Sequence, residues 1–428
     1  MLDIRVTGAD LLVRNIGLLA TMAGPAPRRG RRMADAGYVP GAAVAAAGGR
    51  IVYAGAEAGL DQTIRPGPGA VTIDAGGGAV IPGLVDAHTH LAFAGDRDEE
   101  IRRRLAGASY REIAAEGGGI VRTVAATRAA SREDLAAAIG SRLDEMLLQG
   151  TTTAEIKSGY GLETEAEVRS LQAIRAAAES HPVGVVPTFL GAHEVPPEHR
   201  GDSGRYLDLL IEEMIPEVAR LRLAVFCDVF CEEGVFTVAE SRRILAAARE
   251  RGMKLRLHAD ELAWTGGAEL AAEMGARSAD HLLFVSDQGA RAMAEAGCAA
   301  TLLPTAAFYL RLGRFAPARS LIEAGVPVAL GSDANPGGGL SPSLPFAMAL
   351  ACFGMGLSLE EALAAATVNA AYSLDVHHDV GSVEEGKRAD LVILRSPRML
   401  DLLRVGVPAV SIVIKDGRVV VQDGRRAA

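Results

Sequence analysis

The sequence predicts an α/β protein: a TIM-like (β/α)8 barrel with a small β-sandwich domain formed by both termini. Three observations carry this expectation. From about residue 80, strand-like apolar runs alternate with Ala- and Glu-rich stretches of helical pattern, the rhythm of a parallel sheet. The length of that alternation suits eight strands. The first 80 and last 50 residues lack the rhythm and read as short strands punctuated by Gly and Pro. The expected division is therefore 1–80 with 378–428 for the β domain, and 81–377 for the barrel.

At the N-terminal end, LLVRNIGLLATM, AAVAAAGGRIVYAG and AVTIDAGGGAVIPG are the strand candidates. Between them, Pro25 to Pro40 carries Arg28, Arg29, Arg31 and Arg32 and is expected to be an exposed, solvated loop. The barrel units follow. GTTTAEIKSGYG precedes the helical TEAEVRSLQAIRAAAES, and VGVVPTFLGAHE precedes a helix around YLDLLIEEMIPEVARL. AVFCDVFCEEG leads to VAESRRILAAARERG, and KLRLHADEL to GGAELAAEMG. SADHLLFV, AATLLPTAAFYL and PVALGSDANPG continue the series, and GSVEEGKRADLVIL and VSIVIKDGRVVVQDG return to strands. In such barrels the chemistry sits at the C-terminal strand ends, where the polar residues of these runs fall.

Composition narrows the class. The chain has 428 residues, a net charge of −9, nearly half apolar residues and 23% charged ones. The acidic balance argues against a nucleic-acid partner, although one local Arg can serve an anionic small molecule. Cys227, Cys231, Cys298 and Cys352 match no zinc or disulfide framework, which fits a reduced, cytoplasmic setting with Cys227 and Cys231 as core residues. No run reaches the roughly 18 apolar residues of a membrane span. LLVRNIGLLA is broken by Arg14 and Asn15 and lacks a basic leader, so no secretory signal is expected.

Four segments carry chemistry. In VIPGLVDAHTH an apolar strand ends in Asp86, His88 and His90; alternate strand residues share a face, so the two imidazoles project together and suit a divalent metal. In KLRLHADEL, His258 ends a second strand and Glu261 follows three residues later. SADHLLF places His281 at a third strand end, and VPVALGSDANPGG places Asp333 at a fourth, entering a Gly-rich loop. Singly, a strand-end His is as readily a buried residue bonded to backbone, and an Asp a turn former; together they fall in the order a barrel metal site needs. Imidazoles and one carboxylate leave zinc an open position for water. Asp333 can accept the water's proton, His281 can stabilise an oxyanion, and Glu261 can bond or protonate a substrate nitrogen.

This ordered set resembles the amidohydrolase superfamily and, within it, the imidazolonepropionase family. The resemblance runs over most of the chain through PGLVDAHTHLAFAGDRDEE, GGGIVRT, GTTTAEIKSGYGL, FLGAHEVPPE, DVFCEEGVFT, LHADE, ADHL and SDANPGG. It implies hydrolysis of the cyclic amide C–N bond of 4-imidazolone-5-propanoate to N-formimidoyl-L-glutamate. It assigns one divalent metal, Zn or alternatively Fe, to His88, His90, His258 and Asp333. Substrate contacts fall to Arg97, Tyr110, Tyr160, His193, Glu261, Asn335, Gly337 and Gly338. A propanoate tail needs a cation, and Arg97 offers a bidentate fork; without the resemblance, Arg97 reads as a surface ion pair in DRDEE. At Gly338 the family pattern carries Ser or Thr, so a hydroxyl contact is missing and the backbone N–H is the donor left. The resemblance also implies a homodimer.

Lys157 is one of only four lysines. Two-metal relatives bridge their ions with a carboxylated Lys, but here His193 takes the expected strand end, which favours a single metal and a structural or substrate-side Lys157. Gly117 to Gly119 lack the spacing of a phosphate loop and read as a flexible active-site loop. Two rival functions remain: a deaminase of the same superfamily acting on a cytosine-, guanine- or pterin-like ring, and a non-enzymatic metal-binding scaffold. Arg97, Tyr160 and His193 favour a carboxylate-bearing substrate over the first. The full set of ligand, acid–base and oxyanion residues disfavours the second.

Overall fold

A computed structural model describes residues 7–108 and 118–427. Eight parallel strands form the barrel sheet: β6 (Leu84–Asp86), β7 (Thr151–Lys157), β8 (Gly184–Ala192), β9 (Phe226–Cys231), β10 (Lys254–Ala259), β11 (Ser278–His281), β12 (Ala299–Leu302) and β13 (Val328–Leu330), hydrogen-bonded in chain order. The seam between the first and last closes just past the strands: Asp333 N–H donates to His88 O (3.0 Å) and His90 N–H to Ala334 O (2.9 Å). Helices fill the connections, among them Arg132–Leu147 and Thr164–Ser180. Their starts follow local chemistry. Ser131 caps the first of these through Asp134 N–H, and Thr237 with Glu240 forms a capping box at Val238–Glu250.

The termini build the small β domain. β1 (Thr7–Ala20), β2 (Tyr38–Ala47), β3 (Arg50–Ala56), β4 (Ile64–Asp74) and β5 (Ala79–Pro82) join β14 (Leu391–Leu394), β15 (Val410–Lys415), β16 (Arg418–Gln422) and β17 (Arg425–Arg426) in one hydrogen-bonded sheet. β5 pairs with β1 on one side and β14 on the other, tying the two ends of the chain together. Two-residue periodicity sorts the side chains of β14. Leu391 and Ile393 enter a core shared with Val13, Ile16, Val44 and Val80, whereas Val392 and Leu394 join the core of the barrel helices. At roughly 1.5–3 kcal/mol for each large aliphatic side chain removed from water, these two faces fasten the domain to the barrel.

The segment from Pro25 to Pro40 departs from the expected exposed loop. Arg31 and Arg32 are exposed, but Arg28 and Met33 are buried and Gly30–Ala34 forms a 3-10 turn. Asn369 holds the segment: its Oδ1 accepts Arg28 N–H (2.7 Å), and its Nδ2 donates to Arg28 O and to Val328 O (both 2.9 Å). Carbonyl groups accept from NH1 and NH2 of Arg28, including Asp35 O at 2.8 Å, while its Nε is buried without a partner among the described residues; a cation that counts as surface in the sequence is buried in the fold. Gly119, at the described end of the expected Gly loop, starts the helix Ile120–Ala129 and donates its N–H to Glu100 Oε2 (3.0 Å). Gly117 lies outside the described residues. No described helix is long and apolar enough to cross a membrane. Cys227, Cys231 and Cys298 are buried thiols, and no cysteine is in a disulfide.

Candidate active site

The side chains inside the barrel are charged where branched aliphatics are the usual filling. β7 contributes Glu155 and Lys157, β9 Asp228, β10 Arg256 and β11 Asp280, all fully buried. Each pair or single residue follows the two-residue period of its strand, in AEIK, CDVF, LRLH and SADH. Below them, Val85, Val186, Phe226, Ala329 and Leu374 form an apolar cluster, which Arg256 meets with its guanidinium 5.6 Å from the Phe226 ring.

Above the charged layer, histidines converge. His90 Nε2 lies 3.1 Å from His88 Nε2 and 3.4 Å from His258 Nε2. Asp333 Oδ1 is 3.6 Å from His88 Nε2 and 3.5 Å from His90 Nε2. The outer nitrogens of two rings are engaged by carboxylates. His88 Nδ1 meets Asp280 Oδ2 at 2.6 Å, and His258 Nδ1 meets Asp228 Oδ1 at 3.1 Å. A carboxylate only accepts, so both Nδ1 atoms carry the proton and both Nε2 lone pairs face inward. Lone pairs gathered this closely repel unless a cation lies among them. Donors on a tetrahedral shell of about 2.0–2.1 Å stand about 3.3–3.4 Å apart, and the four separations above, from 3.1 to 3.6 Å, fall around that value. Asp333 Oδ1 is buried with no hydrogen-bond partner, as an oxygen reserved for a metal would be. His88, His90 and Asp333 converge as one donor group that fits a divalent metal, and His258 approaches it through His90. His281 belongs to an overlapping group with His88 and His258, its ring centroid 5.2 Å from that of His258.

The charged layer holds this centre in place. Asp280 also accepts from Arg256 NH2 (2.8 Å) and Ser278 Oγ (2.7 Å). Lys157 Nζ donates to Glu155 Oε1 (2.9 Å), stands 2.8 Å from Asp228 Oδ2 and 4.0 Å from Asp280 Oδ2. Burial alone would raise the Asp228 carboxyl, but His258 and Lys157 hold it well below the usual carboxylate range. Burial would likewise discharge Lys157; Asp228 and Glu155 overcome it and keep the ammonium protonated. Lys157 is a structural cation here. Its pairing with two carboxylates leaves it no role as a carboxylated bridge.

Backbone turns aim the remaining groups. Asp260, His281 and Asp333 adopt left-handed φ values of 51°, 74° and 49°, each where a strand ends. Asp260 anchors its loop by accepting the N–H groups of Thr265, Gly266, Gly267 and Ala268. Glu232 Oε2 accepts those of Glu261 (3.1 Å) and Leu262 (2.9 Å). Burial, with Asp333 and Glu232 nearby, pushes the Glu261 carboxyl well above its usual range, so it holds a proton. Its Oε1 lies 3.5 Å from His281 Nδ1. Burial pushes Asp333 up to about 7.

A cleft of about 350 Å3 opens over the centre. His90, Arg97, Tyr160, His193, His258, Glu261, His281, Asp333, Asn335, Gly337 and Gly338 line it, with Ile120, Phe230, Leu262, Leu310 and Leu312 as its apolar walls. The expected site residues are thus brought together, with His88 beneath them; Tyr110 lies outside the described residues. Arg97 is 5% exposed rather than paired on the surface, and its buried NH2 has no hydrogen-bond partner among the described residues. His193 stacks on His90 at 5.0 Å, and its Nδ1 donates to Gly159 O (2.9 Å), leaving Nε2 to face elsewhere as an acceptor. Asn335, Gly337 and Gly338 line the cleft and also bond one another. Asn335 Oδ1 accepts the N–H groups of Gly337 (2.9 Å) and Gly338 (2.6 Å), and its Nδ2 donates to Asp333 O (2.7 Å). Their polar groups shape the loop, and the Gly338 N–H expected to be free is already bonded.

Sequence reasoning passed over Glu155, Asp228, Glu232, Arg256 and Asp280. For all but Glu232, which follows β9, the signal was present as charges inside otherwise apolar strands.

Comparisons with known proteins agree with this architecture. Residues 79–420 match the Amidohydrolase family. An imidazolonepropionase of Symbiobacterium thermophilum is 54% identical over 97% of this chain and 98% of its own length. One of Geobacillus kaustophilus is 49% identical over 97% and 99%. Among solved structures, an adenosine deaminase from Xanthomonas campestris with bound zinc superposes with a TM-score of 0.73 at 19% identity, covering 99% of this chain and 95% of that one. An atrazine chlorohydrolase from Arthrobacter aurescens complexed with zinc gives 0.69 at 18% identity, covering 97% and 96%. These two show the fold; the closer sequence relatives show the family. The chain therefore belongs to the amidohydrolase family and, within it, to the imidazolonepropionases.

Proposed function

We propose that this protein hydrolyses the cyclic amide C–N bond of 4-imidazolone-5-propanoate, opening the ring to N-formimidoyl-L-glutamate in histidine degradation. The observation that carries the reading is a buried, unpartnered Arg97 NH2 in the same cleft as a four-donor metal centre. The first suits a carboxylate tail and the second a carbonyl. The names of the full-length relatives support the same reaction.

His88, His90, His258 and Asp333 would hold one zinc ion, with iron as the alternative their N and O donors accept. When bound, such a metal supplies Lewis acidity toward a carbonyl oxygen and acidifies water. Arg97, with Tyr160 and Tyr110, binds the propanoate and so sets the ring over the centre, while His193, whose Nε2 accepts, meets a ring N–H. Asp333 takes one proton from the attacking water as its oxygen bonds to the ring carbonyl carbon. His281 stabilises the oxygen of the attacked carbonyl as negative charge grows there. Glu261 gives its proton to the ring nitrogen as the C–N bond breaks. Asn335, Gly337 and Gly338 fix the loop that carries Asp333.

A deaminase reading uses the same centre, Glu261 and His281, but gives Arg97 no partner, and the deaminase neighbour is only 19% identical. We place the protein in the cytoplasm as a homodimer, with the β domain at 1–80 and 378–428 and the barrel at 81–377. The test is ultraviolet decay of freshly generated imidazolone propanoate by the purified protein, with metal analysis of the same sample. Turnover with about one zinc or iron per chain is expected; a fully active preparation free of metal overturns the mechanism.

A further inference from the structure

We propose that Thr123 presets Arg97 for the substrate's carboxylate, which makes this threonine a specificity-determining positioning residue. The inference rests on the reading of Arg97 given above. An arginine carries many rotamers, and its fork recognises a carboxylate only when held in one orientation before binding.

Two contacts hold it. Arg97 Nε donates to Thr123 Oγ1 at 2.8 Å, a bond buried at both ends. On its other side the guanidinium lies against Gly337, where a Cβ would stand 2.3 Å from NH1. The bond at Nε and the packing at NH1 fix the plane, and NH2 is left buried without a partner beside the cleft. The holder is itself fixed. Thr123 and Thr127 lie one turn apart on the helix Ile120–Ala129 and share a face. Thr127 Oγ1 accepts the N–H of Ala94 at 3.2 Å, in the loop that runs from His90 to Arg97. One helix face thus grips that loop at its backbone and at its functional side chain. Thr123 does not line the cleft, so its hydroxyl acts through Arg97.

Thr123→Val keeps the side chain's shape and removes the acceptor; Thr123→Ser keeps the acceptor. Steady-state kinetics and metal content of both, of Arg97→Ala and of the double variant test the inference. Thr123→Val is expected to raise KM about tenfold, the scale of one charge-assisted hydrogen bond, with kcat within about twofold and metal unchanged. Thr123→Ser should return KM to within about twofold of the wild type, and adding Thr123→Val to Arg97→Ala should change nothing further. A wild-type KM in Thr123→Val, or its full effect persisting without Arg97, overturns the inference. Unchanged KM in Arg97→Ala would remove the carboxylate subsite itself, whereas raised KM there beside unchanged KM in Thr123→Val removes only the role of Thr123. If Thr123→Val does not fold, Thr123→Ala replaces it under the same criteria.

Discussion

Arg97 and Glu261 are both buried in the wall of the cleft. A buried guanidinium nitrogen without an acceptor is costly, and a ligand carboxylate relieves that cost. Such a contact contributes roughly 1.5–3 kcal/mol, and its loss costs about ten- to a hundredfold in kcat/KM. Because it is remote from the reacting carbon, Arg97→Ala should raise KM and spare most of kcat, and Arg97→Lys should recover only part, since an ammonium is a point charge. Steady-state kinetics on metal-replete samples decides this; a wild-type KM in Arg97→Ala refutes it. Glu261 holds its proton because burial and two neighbouring carboxylates disfavour the ion. Glu261→Gln keeps the shape and cannot transfer the proton. It should lower kcat by about a hundred- to ten-thousandfold with metal content intact. Retention of more than a tenth of kcat would mean that the ring nitrogen takes its proton from elsewhere.

Among the strands, β7, β9, β10 and β11 carry charges inward, and their pairing across the barrel explains what was legible in the sequence. An apolar run ending in His-x-His, a second ending in His258 and a Gly-rich loop after Asp333 each announce themselves locally, so the candidate donors could be picked out one strand at a time. Asp228 and Asp280 have meaning only through the rings they meet, His258 at 30 residues' distance and His88 at 192. Arg28 was misjudged for the same reason: Asn369, which holds its backbone, lies 341 residues away and reaches it only in the fold. Lys157 shows how strongly these pairs are coupled. Lys157→Met would leave Glu155 and Asp228 buried without their cation and destabilise the fold by about 3–5 kcal/mol. By loosening Asp228 behind His258, it should also weaken metal binding by about ten- to a hundredfold. Chelator competition on the folded fraction measures the second effect. Unchanged affinity in a destabilised variant would confine Lys157 to holding the fold.

For the whole molecule, the centre joins the first and last strands of a barrel whose outer sheet joins the two chain ends. A metal bound only by the folded state adds about 4 kcal/mol when present at a thousand times its Kd. Chelation should therefore lower Tm by several degrees, and zinc should restore it; an unchanged Tm would place the ion outside the barrel seam. Acid should act through other groups. Burial and neighbouring His378 hold His377 down at about 4, and burial lowers His181 as well. In the unfolded chain both titrate near about 6.5. As pH falls below that value the unfolded state takes up protons that the folded state refuses, so the stability present above about 6.5 is lost toward 4. Tm measured from pH 7 to pH 4.5 should fall, and less steeply in His377→Gln; parallel curves would refute a part for His377.

The seam of the barrel also sets an order of events during synthesis. Asp86 accepts the N–H of Ser332, 246 residues further along the chain, one position before the carboxylate that completes the metal set. At about 5–20 residues per second, a ribosome needs on the order of tens of seconds to cover that distance. Throughout that time His88 and His90 have been made and their closing partner has not. A metal held by the whole proposed donor set can be bound in full only after Asp333 has been made, which would make it a late latch on a folded barrel and not an early nucleus for one.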